Sequence, residues 1–216
     1  IVPHNVHTIL LPKAETADQV IAMEAKVQAI LKEQGLKQKI YYMPILESAR
    51  GVLNAYEIAT ASNNNVGLAM GLEDYTADIG TQRTLEGKES FFARSMLVNA
   101  ARAAGIQPID TVFTDVSNEA ALRESVRVTK SMGFDGMGCI HPRQIKPIHE
   151  EFAPAEAEIL KAKRIIVAAD EAEAKGLGVV AVGSKMIDPP VVKRAERTIR
   201  MAVDTGLLVE NWKELD

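Results

Sequence analysis

Apolar positions along this chain switch period repeatedly, from short continuous runs to helical spacing and back. "HTILLP" (7–12) predicts a buried strand. In "ADQVIAMEAKVQAILKEQG" the residues Val20, Met23, Val27, Ile30 and Leu31 recur at helical spacing until Gly35 stops the helix. The alternation continues with a strand over "KIYYMPIL" (39–46), a short helix over "GVLNAYEIATA" (51–61) and a strand over "VGLAMGL" (66–72), whose glycines fit close packing or ligand approach. "ESFFARSMLVNAARAAG" (89–105) is helical, and "IDTVFTD" (109–115) predicts a fourth strand. Asn118 is placed to cap a helix that runs to Met132 before Gly133, and "GFDGMGCIHP" (133–142) supplies a fifth strand.

Strands alternating with helices predict parallel pairing through right-handed crossovers, in an α/β fold that is either a (β/α)8 barrel or a doubly wound sheet. Neither GxGxxG nor GxxxxGK[ST] occurs, which favours the barrel over a nucleotide-binding sheet. Five strands do not close an eight-stranded barrel. At about 30 residues per βα unit, the five units are expected to be the fourth to eighth, with three more before Ile1. Residues 1–152 are therefore read as a partial barrel. Residues 153–216 are read as a C-terminal helical extension, with long helices over 153–176 and 188–206, that packs on the barrel or on a neighbouring subunit. Val192, Ala195, Ile199 and Ala202 form one face of the second of these helices.

The chain has 216 residues and a formal net charge of −4, so it offers no basic surface for nucleic acid. No apolar run approaches the roughly 20 residues that span a bilayer, and the first residues have no export-signal pattern, so no membrane partner is expected. The single cysteine, Cys139, has no disulfide partner and no metal-ligand companion at zinc spacing, which fits a reducing cytoplasm.

Candidate chemistry lies at the strand ends. Glu47 ends "YYMPILE" and Asp74 ends "GLAMGLED", 27 residues apart, about one βα unit. In a barrel that places both carboxylates on neighbouring strands at the C-terminal rim, where they would be hard oxygen ligands suited to Mg²⁺. Outside such a rim, helix capping or a solvated loop is the commoner role for a strand-end acid. Glu73 should point away from Asp74 if both continue the strand. Lys13, after "LLP", could reach the rim, but a salt-bridged or solvated lysine is the simpler reading. His141, before Pro142, is more often a structural hydrogen-bonder than a substrate donor. Arg50 and Arg83 are candidate anion contacts for the substrate or its carrier, although among 25 basic residues surface charge is the commoner role.

"MPILESARGVLNAYEIA", "GLAMGLEDYTADIG", "GFDGMGCIHPRQI" and "GSKMIDPPVVKRAERT" resemble, in the same order, motifs of the HpcH/HpaI aldolase superfamily, which includes the citrate lyase β subunits and the malyl- and citramalyl-CoA lyases. The "TQRTLEGKES…GIQPIDTVFTD" region is most similar to the citrate lyase β subunit branch. The resemblance implies a (β/α)8 barrel, with Glu47 and Asp74 as the Mg²⁺ ligands; Glu47 and Arg83 are the substrate-binding candidates. It implies cleavage of a 3-hydroxyacyl thioester, citryl-ACP or citryl-CoA, to oxaloacetate and an acetyl thioester. By the same resemblance, a substrate-binding arginine precedes this sequence, and Asp188 of "GSKMIDPPVV" is the catalytic acid/base brought to the site of an adjacent subunit. From spacing alone Asp188 is a helix N-cap before two prolines. The implied assembly is a homotrimer or higher, with acyl-carrier and acyltransferase subunits as partners. The alternatives are a malyl- or citramalyl-CoA-type lyase, an aldolase acting on a free keto acid, and a non-catalytic assembly subunit.

Overall fold

Five strands in the computed structural model run parallel, in the order β1 (Thr8–Leu11), β2 (Tyr41–Leu46), β3 (Gly67–Met70), β4 (Gln107–Asp110) and β5 (Gly136–Met137). Spatial neighbours are thus sequence neighbours, and every C-terminal strand end lies along one edge. The connections are α1 (Ala17–Glu33), then α2 (Ala49–Leu53) with α3 (Ala55–Thr60), then α4 (Leu72–Asp78) with α5 (Phe91–Ala104), and α6 (Glu119–Ser131). α7 (Ile145–Phe152) follows β5. The structure describes residues 1–174, 176, 180–182 and 185–214. Their contacts divide the chain into two units, Ile1–Ile148 and His149–Asp216.

Leu46, Leu68 and Met70 share one buried cluster with Val20, Val52, Ile58, Leu72, Tyr75, Leu97 and Phe134, so α1 to α5 cover one face of the sheet. On β2 the burial alternates with period two: Tyr42, Pro44 and Leu46 are buried, whereas Tyr41, Met43 and Ile45 are only partly so. β1 departs from expectation. "HTILLP" predicts a buried strand, but β1 is the edge strand with a single neighbour, and Leu10 on it is 54% exposed.

Several boundaries also move. The helix expected over 51–61 is two short helices that meet at Asn54, whose side-chain amide donates to the Glu15 carbonyl at 2.8 Å. The strand expected over 66–72 ends at Met70: the Gly71 N–H still donates to the Leu46 carbonyl of β2, and Leu72 begins α4. The strand expected over 109–115 ends at Asp110, and the fifth is only Gly136–Met137. Asn118 caps α6 through its Oδ1, which accepts from the Ala121 N–H at 3.1 Å.

The second unit contains α8 (Glu156–Ala174), an antiparallel pair β6 (Val180–Val182) and β7 (Lys185–Ile187), and α9 (Pro189–Asp204). The extension is therefore not wholly helical. Ala162, Ile165, Ile166, Ile187, Ala195, Ile199 and Trp212 form its core, so the face predicted on α9 does turn inward. Lys175 at the end of the predicted helix, and Gly183 and Ser184 of the "GSKMIDPPVV" motif, lie outside the described residues. Among the described residues no helix is long and apolar enough to cross a membrane.

Candidate metal centre

Because the strands run parallel in sequence order, the turns after β1, β2 and β3 lie side by side. Glu47 directly follows β2 and is partly buried. Its Oε1 accepts the main-chain N–H of Lys13, from the turn after β1, at 2.7 Å. Gly71 lies against the other side: a Cβ there would stand 2.6 Å from Glu47 Oε2 and 2.8 Å from Glu47 Cβ. Glycine at 71 is thus what leaves room for this carboxylate.

Asp74 is not at a strand end, as its spacing from Glu47 predicts, but in the first turn of α4. An acid is favourable there beside the positive end of the helix. Its Oδ1 accepts from the Lys13 ammonium at 3.1 Å in an ion pair with both side chains exposed. Glu73 and Asp74 are successive helical residues rather than alternating strand residues. They diverge all the same, because Glu73 pairs with Arg83 at 3.0 Å. Asp78, one turn beyond Asp74, accepts the Ala49 N–H at 2.7 Å and so ties the end of α4 to the start of α2. Lys13 brings the two predicted ligands together, holding Glu47 through its backbone and Asp74 through its side chain. Its hydrogen bond and charge attraction to Asp74 raise its pKa above the usual 10.5; desolvation opposes this, and Glu47 and Asp78 add smaller contributions.

The donor set fits a hard divalent cation. Both groups are carboxylates, and each has one oxygen engaged by Lys13 while Glu47 Oε2 and Asp74 Oδ2 accept no hydrogen bond from the described residues. No cluster of three or more His, Cys, Asp or Glu is placed to hold a metal among the described residues. Two protein ligands with the remaining positions left to water and substrate oxygens is the arrangement Mg²⁺ prefers.

The other predicted residues make contacts of their own. Arg83 is committed to Glu73 and lines a cavity of about 670 Å³ beside α4 and α6, together with Thr76, Ser90, Arg94, Thr111 and Ser125. Arg50 is 4.0 Å from Glu15. His141 Nδ1 accepts the Arg143 N–H at 3.2 Å and caps a short 3-10 turn. Asp188 caps α9, its Oδ1 accepting from the Val191 N–H at 3.2 Å. Gly71 is one of the glycines of "VGLAMGL" read as fitting close packing or ligand approach, and it does pack closely on Glu47. One feature escaped sequence reasoning. The buried Arg94–Asp110 pair, with Thr129, did leave a signal: an arginine on the same helical face as Leu97 and Ala101.

Residues 1–142 match the sequence family described as HpcH/HpaI aldolase/citrate lyase. The chain is 41% identical over 199 residues to the citrate lyase subunit beta of Leuconostoc mesenteroides subsp. cremoris, covering 92% of this chain and 66% of that protein. It is 40% identical to the citrate lyase subunit beta of Escherichia coli K12, over 94% of this chain and 67% of that protein. The chain thus spans about two thirds of the length of these curated relatives. The structure of the protein CitE from Mycobacterium tuberculosis, in complex with magnesium, acetoacetate and coenzyme A, superposes with a TM-score of 0.71 at 32% identity, covering 90% of this chain and 68% of that one. With an ordered parallel α/β sheet, Glu47 after β2 and Asp74 in the first turn of α4 joined through Lys13, and relatives at this level of identity, the chain belongs to the HpcH/HpaI aldolase/citrate lyase family.

Proposed function

We propose that this chain is a Mg²⁺-dependent carbon–carbon lyase that cleaves a citryl thioester to oxaloacetate and an acetyl thioester. The single observation that carries the assignment is the pairing of Glu47 and Asp74 through Lys13, each with one oxygen left over, in a chain about 40% identical to citrate lyase β subunits. Glu47 and Asp74 would hold the Mg²⁺, and when bound it supplies Lewis-acid polarisation of the carbonyl that forms in the departing keto acid. Gly71 and the Lys13 N–H keep the Glu47 carboxylate aimed. The fold is read as an arc of a (β/α)8 barrel, supported by the sequential parallel order and by the partly buried second face of β2. Residues 1–152 would form that arc and residues 153–216 an extension that packs on a neighbouring subunit.

The chemistry asks for a base to take the substrate hydroxyl proton, after which the carbon–carbon bond breaks and its electron pair passes to the carbon next to the thioester carbonyl, as an enolate. A proton returned to that carbon gives the acetyl thioester. Asp188 is proposed as this acid/base, delivered by an adjacent subunit of a homotrimer or higher assembly. Arg83 is proposed as a contact for the substrate's carboxylates; it sits in the hydroxyl-lined cavity beside α4. The substrate would arrive on an acyl-carrier subunit or as a CoA thioester, with an acyltransferase subunit as a further partner. A lone cysteine and a thioester substrate fit a cytoplasmic setting.

Subunit mixing tests the proposal. Asp188→Ala and Asp74→Asn chains, each inactive alone with Mg²⁺ and citryl thioester, should regain activity when co-assembled, because a hybrid unites one intact carboxylate pair with one intact Asp188. No recovery in demonstrably mixed oligomers would remove the shared site, and normal turnover by Asp188→Ala would leave that residue only its cap.

A further inference from the structure

Lys13 is one of only two non-glycine residues with positive φ among the described residues, at 52°. The left-handed region is sterically unfavourable for a lysine, and the segment holding it there is tied to β2 by the Ala14 N–H on the Ile45 carbonyl at 3.1 Å. The strained backbone does one observable thing. It turns the Lys13 N–H onto Glu47 Oε1 while the side chain runs to Asp74 Oδ1.

Resting on the metal-site reading above, we infer that Lys13 is a positioning residue with two separable parts. The main-chain N–H fixes the Glu47 carboxylate by one oxygen, whether or not a cation is bound. The ammonium is a place-holding counter-ion: it satisfies Asp74 until a divalent cation arrives, and then leaves that oxygen. Departure is cheap, because the ion pair is exposed, with Lys13 at 72% and Asp74 at 55% side-chain accessibility, and such pairs are weak. A dication and an ammonium cannot share this carboxylate without mutual repulsion, so Mg²⁺ binding is an exchange of one cation for another.

Two consequences separate this role from a structural one. Removing the ammonium should tighten Mg²⁺ binding, whereas loss of a merely structural contact would loosen it. Removing the strain as well should not undo the gain, because glycine adopts positive φ freely and keeps the N–H on Glu47.

The experiment is calorimetric titration of the full chain with Mg²⁺. Lys13→Met and Lys13→Gly should bind Mg²⁺ about five-fold more tightly, the scale of one screened unit charge beside a dication at a water-exposed site. Lys13→Arg, which keeps the charge, should stay within about two-fold of the parent, the margin allowed for its altered reach. Unchanged or weaker binding in both Lys13→Met and Lys13→Gly, with circular dichroism intact, overturns the role. Glu47→Gln and Asp74→Asn are titrated alongside. If neither weakens Mg²⁺ binding, the metal assignment itself falls and takes the role of Lys13 with it. If both weaken it while the Lys13 variants bind no tighter, only the role of Lys13 fails.

Discussion

The Arg94→Met substitution tests what holds the sheet edge in place. Arg94, on α5, reaches Asp110 at the end of β4 through Nε at 3.2 and 3.1 Å and through a close terminal-nitrogen contact to Oδ2. Thr129 on α6 donates to Asp110 Oδ2 at 2.7 Å, and the Thr111 N–H donates to Oδ1 at 2.8 Å. The Asp110 side chain is fully buried and that of Arg94 is 9% exposed, so the pair is not screened by water. Taking away the guanidinium strands a buried carboxylate with only two donors. Charges about 4 Å apart at an effective dielectric near 20 attract by about 4 kcal/mol, and breaking such pairs costs about 3–5 kcal/mol. Because Thr129 and Thr111 still donate, the loss should lie near 3 kcal/mol at the lower end of that range. Urea unfolding followed by far-UV circular dichroism measures it. The chain's single tryptophan, Trp212, lies in the C-terminal unit, so its fluorescence serves as an internal control. The Arg94→Met/Asp110→Asn double variant should be more stable than Arg94→Met alone, since it no longer buries a charge. A loss below about 1 kcal/mol for Arg94→Met, or a double variant less stable than the single, would refute the reasoning, because a buried unpaired carboxylate cannot be that cheap.

Gly71→Ala should lower Mg²⁺ affinity about ten-fold, the lower end for a group that positions a ligand, while leaving the fold intact, since φ at 71 is −108° and suits any residue. Calorimetry against the parent chain checks it, and undiminished affinity would mean that Glu47 needs no space at Gly71. At alkaline pH the buried tyrosines Tyr42 and Tyr75, whose pKa values burial raises above 10.0, keep their protons in the folded state after the unfolded chain has lost them. The unfolded state then binds fewer protons, so stability should fall as pH rises from about 10 through the folded values, and Tyr42→Phe should flatten that fall in urea titrations across pH 9–12.

Much of the fold was legible because it rests on period. The strand–helix alternation, the Asn118 cap and the inward face of α9 follow from residue types at fixed offsets, and each is observed. The boundaries were not legible where one apolar run spans two elements. "VGLAMGL" reads as one run, but Leu72 already belongs to α4 and is buried in the same core as Met70. Asp74 therefore reaches the site from a helix, although counting residues along the strand had selected the right neighbourhood. Lys13 could be weighed from its place after "LLP", but nothing in the letters announces its positive φ or the two contacts it makes. The Arg94 signal was present and is of a different kind: a charge on an apolar helical face must find a partner, and the partner was 16 residues away on the next strand.

These two polar groups divide the work along one sheet edge. At β4, a buried pair fixes α5 to the strand with donors from three segments, and its loss is costly because no water can replace them. Between the ends of β1, β2 and β3 the contacts join residues 34, 61 and 29 apart in sequence, and each lies on an exposed surface. Water can substitute for any one of them at little cost, so the proposed exchange of an ammonium for a metal would leave the core undisturbed. Substitutions at Glu47, Asp74 or Lys13 should therefore change what the edge binds and leave unfolding nearly untouched. The reverse should hold at Arg94 on α5, whose partner Asp110 lies one strand further along, on β4.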